Sequence, residues 1–455
     1  MRTITLEELK ELIESKRYGA IKRALSEEYP VDIAEMLEEL PFEWVVPIFR
    51  LLPKELGADT FIEMGSDLQE RLIGGFSDKE LRLLLNEMYV DDTVDLIEEM
   101  PANVVKRILA TAHPEMRKDI NEILAYPKDS AGSVMTTEYI ALRSFMTVVE
   151  AFEKIRRVGT NSETMYTCYV TNKKKKLIGV ITVKDLLLAD PEKTVGDLME
   201  TNIICAHTDE NKEEVSNRIR EYGLLALPVV DKDGLLVGIV TVDDAFDIIS
   251  QESEEDFSKM AATAPTDLPY TKTSIFALFK ARFPWLLLLT LSATFTGAII
   301  SSFEEKLAAC AVLIGFIPML MNSGGNSGSQ ASVAVIRGLS LGDLELKDAF
   351  KVLFKEIAVG AMCGLLLGLC NALKMLLLDR LILGNVEVNL WVILVVSLTL
   401  ALTVMMAKAV GCLLPFGAKL IRLDPAVMAA PVISTLVDAL SLLIYFGFAV
   451  NFLNL

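Results

Sequence analysis

The spacing of apolar residues changes character along the chain. Through residues 1–129 it is helical: "VDIAEMLEELP" (31–41) recurs as "VDDTVDLIEEMP" (90–101), each with one apolar face and a closing proline. Helix pairs of this kind bury their apolar faces only by stacking, which predicts an all-α superhelix. Residues 130–250 hold short β-rich runs around turns, each followed by a helix start. Residues 251–280 form an acidic-to-amphipathic connector. Beyond it, five apolar stretches, about 283–303, 308–336, 353–378, 389–414 and 425–450, each come near the ~20 residues that span a bilayer. The expected fold class is multidomain: an all-α N domain (1–129), an α/β pair (130–193 and 194–250), a connecting helix (251–280) and an all-α membrane domain of five spans (281–455).

The α/β pair is an internal duplication. "SAGSVMTTEYIAL" (130–142) and "TVGDLMETNIICA" (194–206) open its halves, which end as "YVTNKKKKLIGVITVKDLLL" (169–188) and "PVVDKDGLLVGIVTVDDAFD" (228–247), with Gly179 and Gly238 in register. These stretches resemble a tandem pair of CBS domains. Thr182 with Asp185, and Thr241 with Asp244, follow the two glycine strands. In CBS domains such a pair holds nucleotide phosphate and ribose, so ATP or another adenine nucleotide is a candidate modulator. The same residues equally suit a helix cap.

Charge divides the chain. Its net charge is −18, but residues 281–455 alone carry +1, which leaves −19 on residues 1–280. Such a surface repels nucleic acid and attracts metal cations. Basic residues Arg282, Arg337, Lys347, Lys351, Lys355, Lys419 and Arg422 lie on the side of the N-terminal part, against Lys306 and Arg380 opposite. The positive-inside rule therefore places the acidic domains in the cytoplasm of a multi-pass cell-membrane protein, and five spans put the C-terminus outside. The N-terminus lacks the continuous apolar core of a secretory signal. Two histidines, six cysteines without metal-type spacing and no GxxxxGK[ST] sequence speak against an enzyme or an ATP-driven pump.

Two features inside the apolar stretches need a reason. "PMLMNSGGNSGSQAS" (318–332) sets Asn322, Asn326 and Gln330 among paired glycines, where hydrocarbon satisfies no polar group. Proline and glycine there suggest unwound backbone lining an aqueous route. The alternative is close helix packing through Gly324 and Gly328, a GxxxG pair. Asp438 lies 13 residues after Pro425, ~20 Å into the last span. A carboxylate at that depth costs ~2.5–3.5 kcal/mol and needs a partner or water. Lys408, positioned to snorkel to the cytoplasmic face, and Lys374, near the outer face, match its depth poorly. Pro431 is expected to break the same helix and free carbonyls. A lone carboxylate beside broken backbone reads as a cation site.

Together these residues resemble the MgtE family of magnesium channels and transporters, most specifically in "GGNSGSQASVAVIRGLSLGD" (324–343) and "DPAVMAAPVISTLVDALSLLIYF" (424–446). The resemblance implies a homodimer with a pore between its membrane domains and a connecting "plug" helix closing the cytoplasmic mouth. The candidate pore set is Asp438, Asn326, Gly325, Gly328 and Ser434. Ala430 replaces an amide found before the equivalent proline in the family, which bears on ion selectivity. Mg2+ dehydrates reluctantly and suits oxygen ligands, as this set offers. Co2+ or Mn2+ passage is the nearest rival, and a membrane-bound Mg2+ sensor without a pore the next.

The resemblance further implies gating by intracellular Mg2+ through Asp91, Asp95, Asp244, Asp247, Glu252, Glu255 and Asp256. An ion at ten times its dissociation constant favours one state by about 1.4 kcal/mol. Throwing a gate needs ~5.5 kcal/mol. About four or more ions must therefore act together.

Overall fold

The computed structural model describes residues 4–266, 270–271, 273–428 and 430–453, and separates into two compact units, Met1–Ile249 and Ser250–Leu455. The first unit opens with ten helices, from α1 (Leu6–Glu14) to α10 (Pro114–Ile123). The repeated segments form α3 (Pro30–Glu38) and α8 (Val90–Glu99), which bury Ile33 and Leu37, and Val94 and Ile97. The prolines closing each repeat, Pro41 and Pro101, stand at the N-caps of the following helices. There their missing N–H costs nothing and their fixed φ suits the helix entry.

Two three-stranded sheets follow, with identical topology. In the first, β1 (Ala141–Arg143) runs parallel to β2 (Thr167–Thr171), which pairs antiparallel with β3 (Leu177–Thr182). In the second, β4 (Ala206–His207), β5 (Ala226–Val230) and β6 (Leu236–Thr241) repeat the arrangement. Helices α11 (Val148–Val158), α12 (Val183–Leu188), α13 (Val195–Leu198) and α14 (Lys212–Tyr222) bury Ile155, Leu186, Val195 and Ile219 in the cores of the two halves.

The two copies exchange their opening segments. Thr136 and Ile239 trade backbone hydrogen bonds, as do Glu200 and Val180. Met135, from the opening of the first copy, lies over Gly238 of the second, and Met199 lies over Gly179. A Cβ at Gly179 would stand 2.5 Å from Met199 Sδ, and one at Gly238 2.6 Å from Met135 Sδ. The matched glycines are thus seats for matched methionines. Helix α15 (Val242–Met260) then runs unbroken through residue 250, carrying the end of the α/β pair into the connector.

The second unit contains α16 (Ile275–Ser302), the short α17 (Glu304–Ala309), α18 (Ile317–Ser340), α19 (Ala349–Lys374), α20 (Leu390–Leu420) and α21 (Ala430–Leu453). Among the described residues, four helical stretches are long and apolar enough to cross a membrane: Ile275–Ser302, Leu346–Ile382, Leu390–Leu420 and Pro425–Leu453. The second expected span, 308–336, differs from its prediction. Its start is divided between α17 and a 3₁₀ stretch, Ala311–Phe316, and the long helix α18 begins at Ile317. At 24 residues α18 is long enough to span, but its polar centre leaves it outside the apolar set.

Candidate functional site

Helix α18 corrects the expectation of unwound backbone. It is continuous through residues 318–332, because Pro318 sits in its first turn, where no intrahelical N–H is lost. Its glycines serve packing. A Cβ at Gly324 would lie 2.7 Å from Thr403 Cγ2 and 2.8 Å from Val437 Cγ1, and one at Gly328 2.7 Å from Ile433 Cγ2. From α20, Gly411 abuts the Gly328 carbonyl. Ser327 Oγ donates to Val404 O (3.3 Å) and Ser332 Oγ to Met428 O (3.0 Å), which satisfies two buried hydroxyls across the helix contacts.

The amides take the other side. Asn322, Asn326 and Gln330, at i, i+4 and i+8, are exposed in the single chain, and Asn326 Nδ2 donates to Asn322 Oδ1 (3.0 Å). Gly325 borders this stripe and lies against Ser434, its Cβ position 3.4 Å from Ser434 Cβ. Asp438 follows Ser434 by one turn of α21 and is half-buried. Among the described residues it has neither a hydrogen bond nor an ion pair.

Pro431 also differs from its prediction. It occupies the first turn of α21, so the irregular backbone is the 3₁₀ turn Pro425–Met428 ahead of the helix. The side chain of Ala430 lies outside the described residues.

Both intramembrane lysines are paired elsewhere. Lys408 Nζ stands 3.5 Å from Glu356 Oε2 of α19, with side chains 8% and 19% exposed, so it is a buried partner and does not snorkel. Lys374 Nζ is 3.0 Å from Asp379 Oδ2 and lies over the Phe316 ring.

The acidic residues fall into two groups. In the first unit, the start of α8 brings Asp91, Asp92 and Asp95 into the field of Asp244, at the start of α15. Asp91 is 9% exposed, and burial, then Asp244 and Asp92, hold its carboxyl well above the usual range. Burial followed by Asp244 pushes Asp92 up to about 7. Asp95 and Asp247 are exposed.

Two further acids, Glu138 and Glu163, join this group and were missed by the sequence reading. Glu138 Oε2 accepts from Val90 N (3.1 Å), capping the start of α8. Burial, then Asp92 and Asp244, raise Glu163 to about 8. Neither glutamate lies in an acidic run, so only their place in the fold marks them.

In the second unit, Lys259 ties Glu255 (2.5 Å) to Asp424 (2.5 Å), and Asp256 accepts from Ser340 Oγ (2.9 Å). Asp424 also accepts from Ala426 N (2.8 Å), capping the turn before α21. Met260 packs on Ile336 and Ala426. The connector end is thereby held to α18 and to the entry of the Asp438 helix. Glu252 lies on the same helix, α15.

Of the candidate nucleotide residues, Thr182 Oγ1 accepts from Asp185 N (3.1 Å), while the Asp185 carboxylate accepts from Thr182 N. This is a reciprocal cap of α12. Thr241 Oγ1 donates to Asp244 at the start of α15.

Three family profiles match in chain order. The MgtE intracellular N domain matches residues 28–129, the CBS domain 131–192 and 195–251, and MgtE, described as a divalent cation transporter, 317–448. The chain is 34% identical to the magnesium transporter MgtE of Thermus thermophilus over 97% of both proteins. It is 32% identical to that of Bacillus subtilis, over 97% of this chain and 96% of the relative. A crystal structure of the cytosolic domain of the Mg2+ channel MgtE in complex with ATP superposes with a TM-score of 0.51 at 33% identity, covering 54% of this chain and all of that one. The chain therefore belongs to the MgtE family of divalent cation transporters, and is a multi-pass membrane protein with cytoplasmic N-terminal domains rather than an enzyme.

Proposed function

We propose that the chain carries Mg2+ into the cell down its electrochemical gradient, as a homodimeric channel with Asp438 as its principal cation site. The observation that carries the reading is the Asp438 carboxylate, unpartnered among the described residues beside Ser434, Gly325 and the Asn322–Asn326–Gln330 stripe, while both intramembrane lysines are engaged elsewhere. A charge held at that depth needs a counter-charge or water. Two copies of Asp438 facing one route would repel until a divalent ion sat between them. Gly328 acts in this reading as the seat that keeps α18 against α20 and α21, and Asn326 offers an amide oxygen to the hydrated ion.

Gating follows from the two acidic groups. Cytoplasmic Mg2+ neutralises Asp91, Asp95, Asp244 and Asp247 in the first unit, and Glu252, Glu255 and Asp256 on the connector, favouring the closed form. Lys259, Asp424 and Asp256 then transmit the connector's position to α18 and α21. An adenine nucleotide is a second ligand for the CBS pair, as in the ATP-bound relative. The oxygen-only pore set leaves Mn2+ and Co2+ as competing cargo, since hard ligands discriminate among these ions weakly.

The test is Mg2+ uptake into proteoliposomes by the wild type and Asp438→Asn, at low and high Mg2+ on the cytoplasmic face. Wild-type uptake that falls at high Mg2+ and is abolished by the substitution supports pore and gate together. Undiminished uptake by Asp438→Asn removes the pore assignment. No uptake by verified wild-type liposomes removes the channel reading and favours a sensor.

A further inference from the structure

A cavity of about 560 Å³ lies at the outer ends of α18 and α19, lined in part by Phe316, Met319, Lys374, Asp379 and Asn385. Met319 stands one turn of α18 before Asn322, so the cavity adjoins the edge that carries the amides. An octahedral shell of waters at ~30 Å³ each occupies about 180 Å³, which leaves room for a cation with its hydration complete.

A change of helical geometry builds this site. Beyond Lys374, α19 continues as a π-helix, Met375–Ile382, a geometry that is rare and concentrates at functional sites. Lys374 and Asp379 are five residues apart, a spacing that in an α-helix sets side chains about 140° from each other. The i→i+5 bonding of the π-helix brings them round to one face, where Lys374 Nζ is 3.0 Å from Asp379 Oδ2. The Asp379 carbonyl accepts from Asn385 N (3.1 Å), which ties the turn to the loop before α20.

The two partners are held unequally. The Asp379 side chain is 19% exposed, and its Oδ2 is buried and makes no hydrogen bond, so the lysine meets it as an ion pair alone. The Lys374 side chain is 43% exposed, and its Nζ also lies 5.5 Å from the centre of the Phe316 ring. The ring face gives the ammonium a second resting place, and a partly exposed ion pair holds it only weakly. The lysine is therefore free to swing away, while the aspartate is fixed in the helix. A cation can replace the ammonium, whereas an anion has no way to displace the carboxylate.

We infer that Asp379 is an outer capture site for a hydrated divalent cation, with Lys374 as a tethered counter-cation that the arriving ion displaces. Mg2+ dehydrates reluctantly, so a single carboxylate holds it through its water shell. From there the amide edge of α18 leads on towards Asp438. The inference rests on the reading that Mg2+ enters past Asp438, and it names the group that meets the ion first.

Two measurements on the full-length protein in lipid vesicles test it. The first treats the outer face with a water-soluble lysine-acylating reagent, in millimolar MgCl2 or in NaCl of equal ionic strength. Peptide mass spectrometry then reads Lys374, with Lys306 as the outer reference. Mg2+ at Asp379 releases the amine, so labelling of wild-type Lys374 is expected to rise several-fold while Lys306 stays constant. Asp379→Asn should label at the high level in either salt. Wild-type labelling that Mg2+ does not raise overturns the site.

The second measures uptake against external Mg2+. Asp379→Asn should raise the half-saturating concentration about tenfold, the lower end of what a focused charge adds to ion capture. Lys374→Met removes the competitor and should lower it. Maximal uptake should stay near the wild-type value in both, since Asp438 is untouched. A pair that only supports the structure would shift both variants in the same direction, and that result overturns the capture role. Absent wild-type uptake would sink the transport reading while a labelling response kept the site, and a missing response with normal uptake would do the reverse.

Discussion

Replacing Lys408 with Met should be one of the most damaging single changes in the membrane domain, and a second change should repair it. The pair stands at 3.5 Å with side chains only 8% and 19% exposed, between α20 and α19. At an effective dielectric constant near 20, that separation corresponds to about 4–5 kcal/mol of attraction. Most of it offsets the cost of taking both charges out of water. Lys408→Met leaves the Glu356 carboxylate buried and unpaired, a loss of about 3–5 kcal/mol. Lys408→Met with Glu356→Leu removes both charges, and the expected change is near neutral or a gain of about 1–4 kcal/mol.

Thermal unfolding of purified protein in detergent reads this directly. With a shift of roughly 2–4 °C per kcal/mol for a unit of this size, the single variant should melt about 6–20 °C below the wild type. The double variant should match or exceed the wild type. It should also retain Mg2+ uptake, because Asp438 takes no part in the pair. If the single variant proves as benign as the double, Lys408 is solvated and the buried-pair argument is wrong.

Two further outcomes follow from close contacts and from the acidic cluster. At Gly328 a new Cβ meets Ile433 Cγ2, a side chain that can yield, whereas at Gly411 it meets the backbone of Gly328 itself. Gly328→Ala should therefore cost about 1–3 kcal/mol and be partly restored by Ile433→Ala, while Gly411→Ala should resist such rescue. Melting temperatures of the four proteins would show it, and equal tolerance at both glycines would contradict the packing. Asp92 near 7 and Glu163 near 8 hold their protons in the folded state long after the unfolded chain has lost them. Without divalent ions, the first unit should lose stability as pH rises from about 4 towards 8, by at most about 1.4 kcal/mol per group and pH unit. Divalent ions displace those protons, so stabilisation by Mg2+ should be larger at pH 8.5 than at pH 6. A melting shift with Mg2+ that is the same at both values would refute the assignment.

What the sequence made legible was whatever repeats or keeps a period. The helical N domain, the duplicated sheets and the long apolar helices all announce themselves through spacing within one segment. The exchange of openings between the two α/β copies does not. Matched motifs around Met135 and Met199 say that the copies share a shape, but nothing in either copy says whose sheet receives the methionine. Glu138 and Glu163 escaped for a related reason, since a carboxylate cluster built from separate segments has no density in the sequence. Lys408 was misplaced because depth along a helix fixes how far a side chain must reach to water, not whether a partner such as Glu356 waits on the next helix.

Helix α18 shows how one composition can carry two messages on two faces. Glycine was expected to loosen this helix, yet Gly324 and Gly328 bring α20 and α21 within contact of its backbone. That packing accounts for Gly324, Ser327, Gly328 and Ser332 and for none of the amides. At 100° per residue, Asn322, Asn326 and Gln330 fall on one edge, bordered by Gly325 against Ser434, with Asp438 a turn further along α21. Hydrocarbon satisfies none of these groups, so the edge must face water or another protein surface. The same polar content removes α18 from the helices apolar enough to be recognised as spans. The shortfall in hydropathy and the line of amides are therefore one fact, and both follow if this edge of the helix never meets lipid.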